Sequence, residues 1–185
     1  MRIGKYEFDL LHKGYIMGIL NVTPDSFSDG GKYQSVELAL KQADKMVADG
    51  ASILDIGGES TRPGHKKITD AEEIERVIPV IEAIKRNFDV AVSLDTYKYE
   101  VSKAGIAAGV DMINDIWGLK WDERLAPLLA KEDIACCLMH NRDNHEYKDF
   151  IKDFCADIEE TLAIAKKAGL KEERVVLDPG VGFGK

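Results

Sequence analysis

The feature that most constrains this chain is a repeated unit, in which a short apolar run ends at a polar residue and an amphipathic segment follows. The first run, Tyr15 to Leu20, is too short for a helix and is typical of a strand buried on both faces. Six such strands alternate with about five helices, which predicts a parallel sheet. The predicted strands cover residues 15–20, 51–56, 90–94, 110–113, 134–139 and 175–177.

Each predicted strand ends at a polar side chain or a polar turn. Polar groups that converge from many strand ends are typical of the C-terminal face of a (β/α)8 barrel. No GxGxxG motif follows the first strand, which counts against a dinucleotide-binding Rossmann fold. We therefore expect an α/β protein with one domain over residues 1–185, a TIM-type (β/α)8 barrel. The strand-end positions are Asn21, Gly57 and Gly58 before Glu59, Asp95, Asn114, His140 and Asp178.

Chain length does not fit a complete barrel. Barrels of this class run to about 250 residues, whereas this sequence has 185 and stops after the sixth strand. We expect two β/α units to be missing, the alternative being a smaller sheet that closes differently. Two outer strands would then present apolar edges that favour pairing with another chain, in the simplest case a homodimer.

Composition narrows the function classes. The net charge of −8 argues against a nucleic-acid partner. No run of about 18 apolar residues and no apolar signal core occur. We therefore expect neither a membrane partner nor secretion, and we expect the protein in the cytoplasm.

The three cysteines include the adjacent pair Cys136 and Cys137, and we expect small buried thiols in a reducing compartment. No CxxC or HExxH spacing indicates zinc.

Several local patterns give further expectations. Residues 2–10 suggest a short hairpin that plugs one end of the fold. Ser35 is a candidate helix cap, Thr69 and Glu72 form a capping box, and Pro79 should kink or break its helix. A late helix is expected to bury one apolar face, made of Ile151, Phe154, Cys155, Ile158, Leu162 and Ala165.

Five stretches resemble the dihydropteroate synthase family, and they occur in order along the chain. The first, GILNVTPDSFSDGG (18–31), combines a strand end with a long polar loop, and is too long and specific for chance. The other four are DIGGESTRPG (55–64), SLDT (93–96), INDI (113–116) and DPGVGFGK (178–185).

The resemblance implies a pterin site at the strand ends. Asp178 would accept two hydrogen bonds from the cyclic guanidine edge of the pterin. Asn114 would meet the mixed donor and acceptor edge beside it, and Asp95 a further ring nitrogen. Ile116, Met139 and Phe183 would form apolar walls. The alternative is that Asp95 and Asp178 merely cap the elements that follow them.

The same resemblance assigns the two polar loops to p-aminobenzoate and pyrophosphate. Arg62 would contact the leaving pyrophosphate, and Asp25, Arg62 and Asp95 are the candidate catalytic residues. Asn21 would touch Mg²⁺, or else act as a turn-forming residue. His140 is either a general base or a polar neighbour. The remaining loop candidates are Thr23, Pro24, Phe27, Ser60, Thr61 and Pro63.

The implied reaction joins p-aminobenzoate to 6-hydroxymethyl-7,8-dihydropterin pyrophosphate and gives 7,8-dihydropteroate and pyrophosphate in folate biosynthesis. Sulfonamides would be inhibitors. A corrinoid-dependent pterin methyltransferase and a non-catalytic pterin-binding fragment are the alternatives. Because the phosphate-binding corner of a barrel is commonly built by the loops after strands 7 and 8, we expect residues 1–185 alone to be inactive.

Overall fold

The computed structural model describes residues 1–22, 32–59, 67–183 and 185, and these form a parallel sheet with helices packed on one side. A hairpin of β1 (Arg2–Ile3) and β2 (Tyr6–Glu7) comes first. The sheet follows the order of the chain, β3-β4-β5-β6-β7-β8. Its strands are β3 (Ile16–Asn21), β4 (Ala51–Gly57), β5 (Ala91–Asp95), β6 (Met112–Asp115), β7 (Ala135–Met139) and β8 (Val175–Asp178).

The predicted β/α repeat is confirmed, because all six expected strands pair parallel with their neighbours in sequence. Sequential parallel order is the arrangement of strands in a (β/α)8 barrel. A single turn of 3-10 helix, Glu172–Arg174, leads into β8. The helices are α1 (Lys32–Ala48), α2 (Asp70–Asn87), α3 (Tyr99–Ala108), α4 (Leu125–Lys131) and α5 (Phe150–Ala168).

The two faces of the sheet carry different cores. Alternate residues such as Leu94, Ile113 and Leu138 pack against the helices, and we call this side the helix face. The other side, the inner face, carries a smaller cluster that includes Met112 and Cys137. Ile3 and Phe8 from the N-terminal segment join that smaller cluster, so the predicted plug at one end of the fold is confirmed.

Helix α2 shows how local and tertiary forces combine. The capping box is present: the Thr69 side chain accepts from the Glu72 amide, and the Glu72 side chain accepts from the Thr69 amide. Pro79 lies inside the helix without breaking it, which excludes the break among the two predicted alternatives, a kink or a break. Buried Val77, Val80 and Ile81 on either side hold the helix against the sheet, and packing of this kind outweighs one lost backbone bond.

One expectation about helices is wrong, and another holds only in part. Ser35 does not cap α1, because the helix already begins at Lys32. On the expected apolar face of α5, Ala165 is buried and Phe154 and Ile158 are half-buried. Ile151 and Leu162, however, are 66% and 37% exposed, and Cys155 is exposed as well. Asp157 on the same helix bonds to His140. Hydrophobic periodicity alone could not detect that contact.

The outer strands of the described sheet expose large apolar side chains, as predicted for its edges. Ile16 and Ile19 on β3 are 62% and 64% exposed, and Leu177 on β8 is 40% exposed. Self-association through these edges stays a prediction. Within the described part of the chain, no helix has the length and apolar content needed to cross a membrane.

The capping box gives a direct test of local stability. Replacing Thr69 by Ala leaves the Glu72 amide without its partner, and should lower the free energy of unfolding by about 0.5–2 kcal/mol. Urea denaturation measures this loss. The double variant T69A/E72A should lose less than the sum of the two single variants, because both remove the same box. Strictly additive losses would show that the box does not act as a unit.

Candidate active site

The carboxyl ends of the strands are tied together by backbone hydrogen bonds that continue just beyond each strand pair. The Val22 amide donates to the Gly57 carbonyl at 2.8 Å, and the Thr96 amide to the Asn114 carbonyl at 3.0 Å. At the far side of the sheet, the His140 amide donates to the Asp178 carbonyl at 2.9 Å. The side chains at this edge are therefore carried by fixed backbone.

Strand register places the predicted pterin residues on one face. Asn21, Gly57, Asp95 and Asn114 form one row across β3 to β6, and Asn114 is paired with Cys137 of the inner face. Because side chains alternate along a strand, Met139 lies on the same face as Cys137. Met139 is paired with Asp178 of β8. The structure thus brings Asp95, Asn114, Met139 and Asp178 to one face and one edge.

Glycine at position 57 makes room for this row. A Cβ atom there would lie 3.2 Å from Asn21 Oδ1 and 3.5 Å from Asp95 Oδ2. Both polar heads therefore lie over the bare Gly57 backbone. An added Cβ would be tight against Asn21 Oδ1 and in ordinary contact with Asp95 Oδ2.

The electrostatics of the inner face are strongly negative. Burial, together with the charges of Asp178, Asp55 and Asp95, raises the pKa of the Cys137 thiol to about 12. Burial also raises the pKa of Asp95 well above its ordinary value, with Asp55 the next cause. Such a site favours ligands that bring N–H donors or positive charge.

The capping alternative fails for Asp95. Helix α3 begins after Lys98, and no side chain accepts a hydrogen bond at its N-cap. Asp95 Oδ1 is buried and has no hydrogen-bond partner among the described residues. A buried acceptor without a partner is costly for stability, and such groups concentrate at functional sites.

Asp178 fixes the turn that follows its strand. Its Oδ1 accepts from the Gly180 amide at 2.7 Å, which fixes a tight turn. Gly180 has φ +63°, and a Cβ there would lie 2.4 Å from the His140 carbonyl oxygen, so glycine is required. The turn leaves Asp178 Oδ2 available to a ligand. The carboxylate is thereby held in one orientation.

Asn114 is held by a residue that the sequence argument missed. Its Nδ2 donates to Asp55 Oδ2 at 2.9 Å. Asp55 is 4% exposed, burial raises its pKa, and its Oδ1 has no partner among the described residues. One signal in the sequence could have revealed Asp55: it is the single charged residue inside the buried run ASILDI. The prediction considered only the residues at strand ends.

The three predicted wall residues lie close to these groups in sequence and fold. Met139 is buried, and Ile116 and Phe183 are half-buried. Ile116 lies in a turn fixed by Asp115, whose carboxylate accepts from the amides of Trp117 at 2.8 Å and Leu119 at 2.6 Å. Burial raises the pKa of Asp115 to about 6. The sequence argument also missed Asp115, which is next to Asn114 in the chain but accepts its hydrogen bonds from backbone amides.

His140 is engaged in a structural contact. Its Nε2 lies 2.8 Å from Asp157 Oδ2, which also accepts from Arg142 Nε at 2.5 Å. The ring packs 4.5 Å from that of Phe154, and burial lowers the pKa of His140 although Asp157 opposes this. These contacts favour the polar-neighbour interpretation over a general base.

The metal expectation concerns Asn21 alone. Mg²⁺ binds oxygen ligands, keeps several of its waters and often takes only one or two protein groups plus substrate phosphates. The exposed Asn21 amide at the strand end fits such a role chemically. Among residues 1–22, 32–59, 67–183 and 185, no group of three or more His, Cys, Asp or Glu side chains is arranged for a metal ion.

The predicted loop residues fall outside the described part of the chain. Their roles stay predictions. They are Thr23, Pro24, Asp25, Phe27, Ser60, Thr61, Arg62 and Pro63.

A buried ionic cluster, unforeseen from the sequence, lies beside the second loop. Lys98 Nζ donates to Glu59 Oε2 and to Glu73 Oε2, both at 2.7 Å, and to the Ile68 carbonyl at 2.8 Å. Glu59 accepts in turn from Tyr97 Oη at 2.7 Å and from the Ile68 amide at 2.9 Å. Although burial alone lowers it, the bonds to the two glutamates raise the pKa of Lys98. The cluster therefore ties Glu59 to Ile68, the two flanks of residues 60–66.

A separate cavity of about 1040 Å³ lies on the helix side, between α3, α4 and α5. Its lining includes Tyr99, Leu128 and Ile164. None of the inner-face carboxylates reaches it. We therefore place the candidate active site at the strand ends, where the polar groups converge.

Removing the central cation of the ionic cluster should be severe. Lys98→Met removes the Lys98 ammonium from Glu59 and Glu73, whose side chains are only 3% and 2% exposed. Breaking one partner of a buried ion pair costs about 3–5 kcal/mol, which urea denaturation measures. Exposed Lys103 on the same helix gives a matched control, since K103M should change stability by about 0.5 kcal/mol or less. Equal effects of the two variants would show that the cluster is not stabilising.

Comparisons with known proteins show the family of this chain. A family model described as pterin binding enzyme matches residues 17–185. The dihydropteroate synthase of Clostridium beijerinckii is 54% identical over 185 residues, which cover 100% of this chain and 69% of that protein. The Bacillus subtilis dihydropteroate synthase is 51% identical over 173 residues, with 94% and 61% coverage.

Solved structures give the same relationship. A Clostridium difficile dihydropteroate synthase, in the presence of pteroic acid, superposes with a TM-score of 0.93 at 48% identity, covering 97% of this chain and 68% of that one. The Xanthomonas albilineans dihydropteroate synthase with 4-aminobenzoic acid gives a TM-score of 0.88 at 41% identity, with 95% and 64% coverage. This chain thus spans 61–69% of the relatives compared here. They give no support to the methyltransferase alternative.

Proposed function

The chain belongs to the pterin binding enzyme family and, within it, to the dihydropteroate synthases, which are transferases, and we propose that it joins p-aminobenzoate to 6-hydroxymethyl-7,8-dihydropterin pyrophosphate. The products are 7,8-dihydropteroate and pyrophosphate. The observation that carries the proposal is the convergence of Asp95, Asn114 and Asp178 on the inner face. The activity of residues 1–185 alone, which we expect to be absent, stays a prediction.

Ring recognition follows from hydrogen-bond complementarity. The guanidine edge of a pterin presents an amino group beside a ring N–H, and a carboxylate can accept from both. Asp178 supplies that carboxylate, already oriented by its bond to the Gly180 amide. Asn114 offers both a donor and an acceptor, and Asp95 faces a further ring nitrogen. Ile116, Met139 and Phe183 pack on the faces of the flat ring.

The negative inner face also suits the chemical step. The bond from the exocyclic methylene to the pyrophosphate oxygen breaks, and the electron-rich dihydropterin ring takes up positive charge. Nearby carboxylates stabilise that charge more in the transition state than in the ground state. The aniline nitrogen of p-aminobenzoate then forms the new C–N bond and loses a proton. No covalent bond to the protein is needed.

The loops complete the proposal. Ser60, Thr61, Arg62 and Pro63 would hold p-aminobenzoate and the leaving pyrophosphate, and Thr23, Pro24, Asp25 and Phe27 would cover the site. Asn21 would hold Mg²⁺, which when bound would neutralise charge on the departing pyrophosphate. A sulfonamide, as an aniline with an acidic group in the para position, would compete with p-aminobenzoate.

We place the protein in the cytoplasm and expect self-association through its exposed strand edges. Cys136, Cys137 and Cys155 are free thiols, which is usual in a reducing compartment. A homodimer is the simplest form of self-association.

The pterin-binding role of Asp178 is tested by calorimetric titration with the pterin pyrophosphate, with and without Mg²⁺. Asp178→Asn exchanges an acceptor for a group that also donates, so one ligand N–H loses its partner, at about 1–3 kcal/mol. Pterin affinity should fall about tenfold or more. Asp44→Asn, an exposed carboxylate on α1, should bind like the native chain. An unchanged dissociation constant in D178N would refute the assignment.

A further inference from the structure

Asp55 lies below the strand-end row and has no role in the ring contacts described so far. It sits in β4, paired in register with Ser93, and is almost completely buried. Its Oδ2 accepts from Asn114 Nδ2 at 2.9 Å, whereas its Oδ1 has no partner among the described residues. A buried carboxyl group that leaves one oxygen without a partner is costly for stability. Its contact with Asn114 therefore calls for a functional explanation.

The contact determines which way the Asn114 amide points. In the structure the amide turns its NH2 group toward Asp55, because Asn114 Nδ2 donates to Asp55 Oδ2. The flipped amide would set its oxygen against Asp55 Oδ2, acceptor against acceptor, in a buried place. Asn114 is thus left with one N–H and its Oδ1, in a fixed arrangement, for a ligand.

That arrangement matches one oxidation state of the pterin ring. Next to the guanidine edge, 7,8-dihydropterin presents N1 as an acceptor and N8–H as a donor. The free N–H of Asn114 can donate to N1 while its Oδ1 accepts from N8–H. In the fully oxidised ring, N8 has a lone pair instead of hydrogen, and it would face Asn114 Oδ1 without a proton between them.

We propose that Asp55 is a positioning residue which, by orienting Asn114, makes the site select the 7,8-dihydro ring over the fully oxidised ring. The proposal rests on the pterin-binding function inferred above and adds a specificity determinant to it. Asp55 itself touches no reacting atom. Selection for the reduced ring matters chemically, because only that ring is electron-rich enough to release the pyrophosphate readily.

The test compares two ligands on the same protein by calorimetry under anaerobic conditions: 6-hydroxymethyl-7,8-dihydropterin and its fully oxidised counterpart. The native chain should bind the dihydro ring at least about tenfold more tightly, the factor expected for one lost hydrogen bond. In Asp55→Asn, the two amides can pair in either orientation, so Asn114 is no longer fixed. The preference should fall to about threefold or less, chiefly through weaker binding of the dihydro ring.

Asp44→Asn is the control. It makes the same exchange of carboxylate for amide at an exposed position on α1, so D44N should keep the native preference. An unchanged preference in D55N would overturn the proposal. So would equal binding of the two rings by the native chain, a result that does not depend on whether any variant folds. Binding of neither ring would overturn the proposed function itself.

Discussion

The register of the parallel strands is the constraint on which the site depends. Asp95 is paired with Asn114, and Leu94 and Ile113, one residue earlier on each strand, are paired with each other on the helix face. A slip of one residue would turn the polar side chains toward the helices and the apolar ones into the cleft. Burial of Leu94, Ile113 and Leu138 against the helices therefore fixes the position of the polar groups. Hydrophobic packing on one face sets the chemistry of the other.

Unpaired polar atoms buried on the inner face lower the stability of the fold. Asp55 Oδ1, Ser93 Oγ and Asp95 Oδ1 are buried polar atoms without partners among the described residues, and all three belong to the adjacent strands β4 and β5. A stability-optimised core would replace them with apolar atoms. The extensive core of the helix face offsets the penalty, and a cationic or N–H-rich ligand would relieve it. Concentration of such groups in one place is typical of a functional site.

Sequence reasoning succeeded where the signal was local. The strands, their polar ends and the capping box of α2 each follow from neighbouring residues, and the structure has all of them. The grouping of Asp95, Asn114 and Asp178 followed from the rule that parallel strands share an edge. The resemblance to a family supplied their proposed roles, which sequence pattern alone could not.

Features formed by residues that are far apart in the sequence were not predicted. Lys98 joins Glu59 and Glu73, which are 39 and 25 residues away along the chain, and no local pattern marks such a cluster. Asp55 was hidden inside a strand whose other residues are apolar or small. The contact of Asp157 on α5 with His140, 17 residues away along the chain, is likewise not marked by the periodicity of the helix. The predicted residues of the two polar loops remain untested.

The most direct test is a crystal structure of this protein with 6-hydroxymethyl-7,8-dihydropterin pyrophosphate bound. We expect the ring on the inner face at the strand ends, with its guanidine edge on the Asp178 carboxylate and Asn114 on the adjoining edge. A ring bound in the cavity between α3, α4 and α5, or at the strand ends without contact to Asp178, would contradict this expectation.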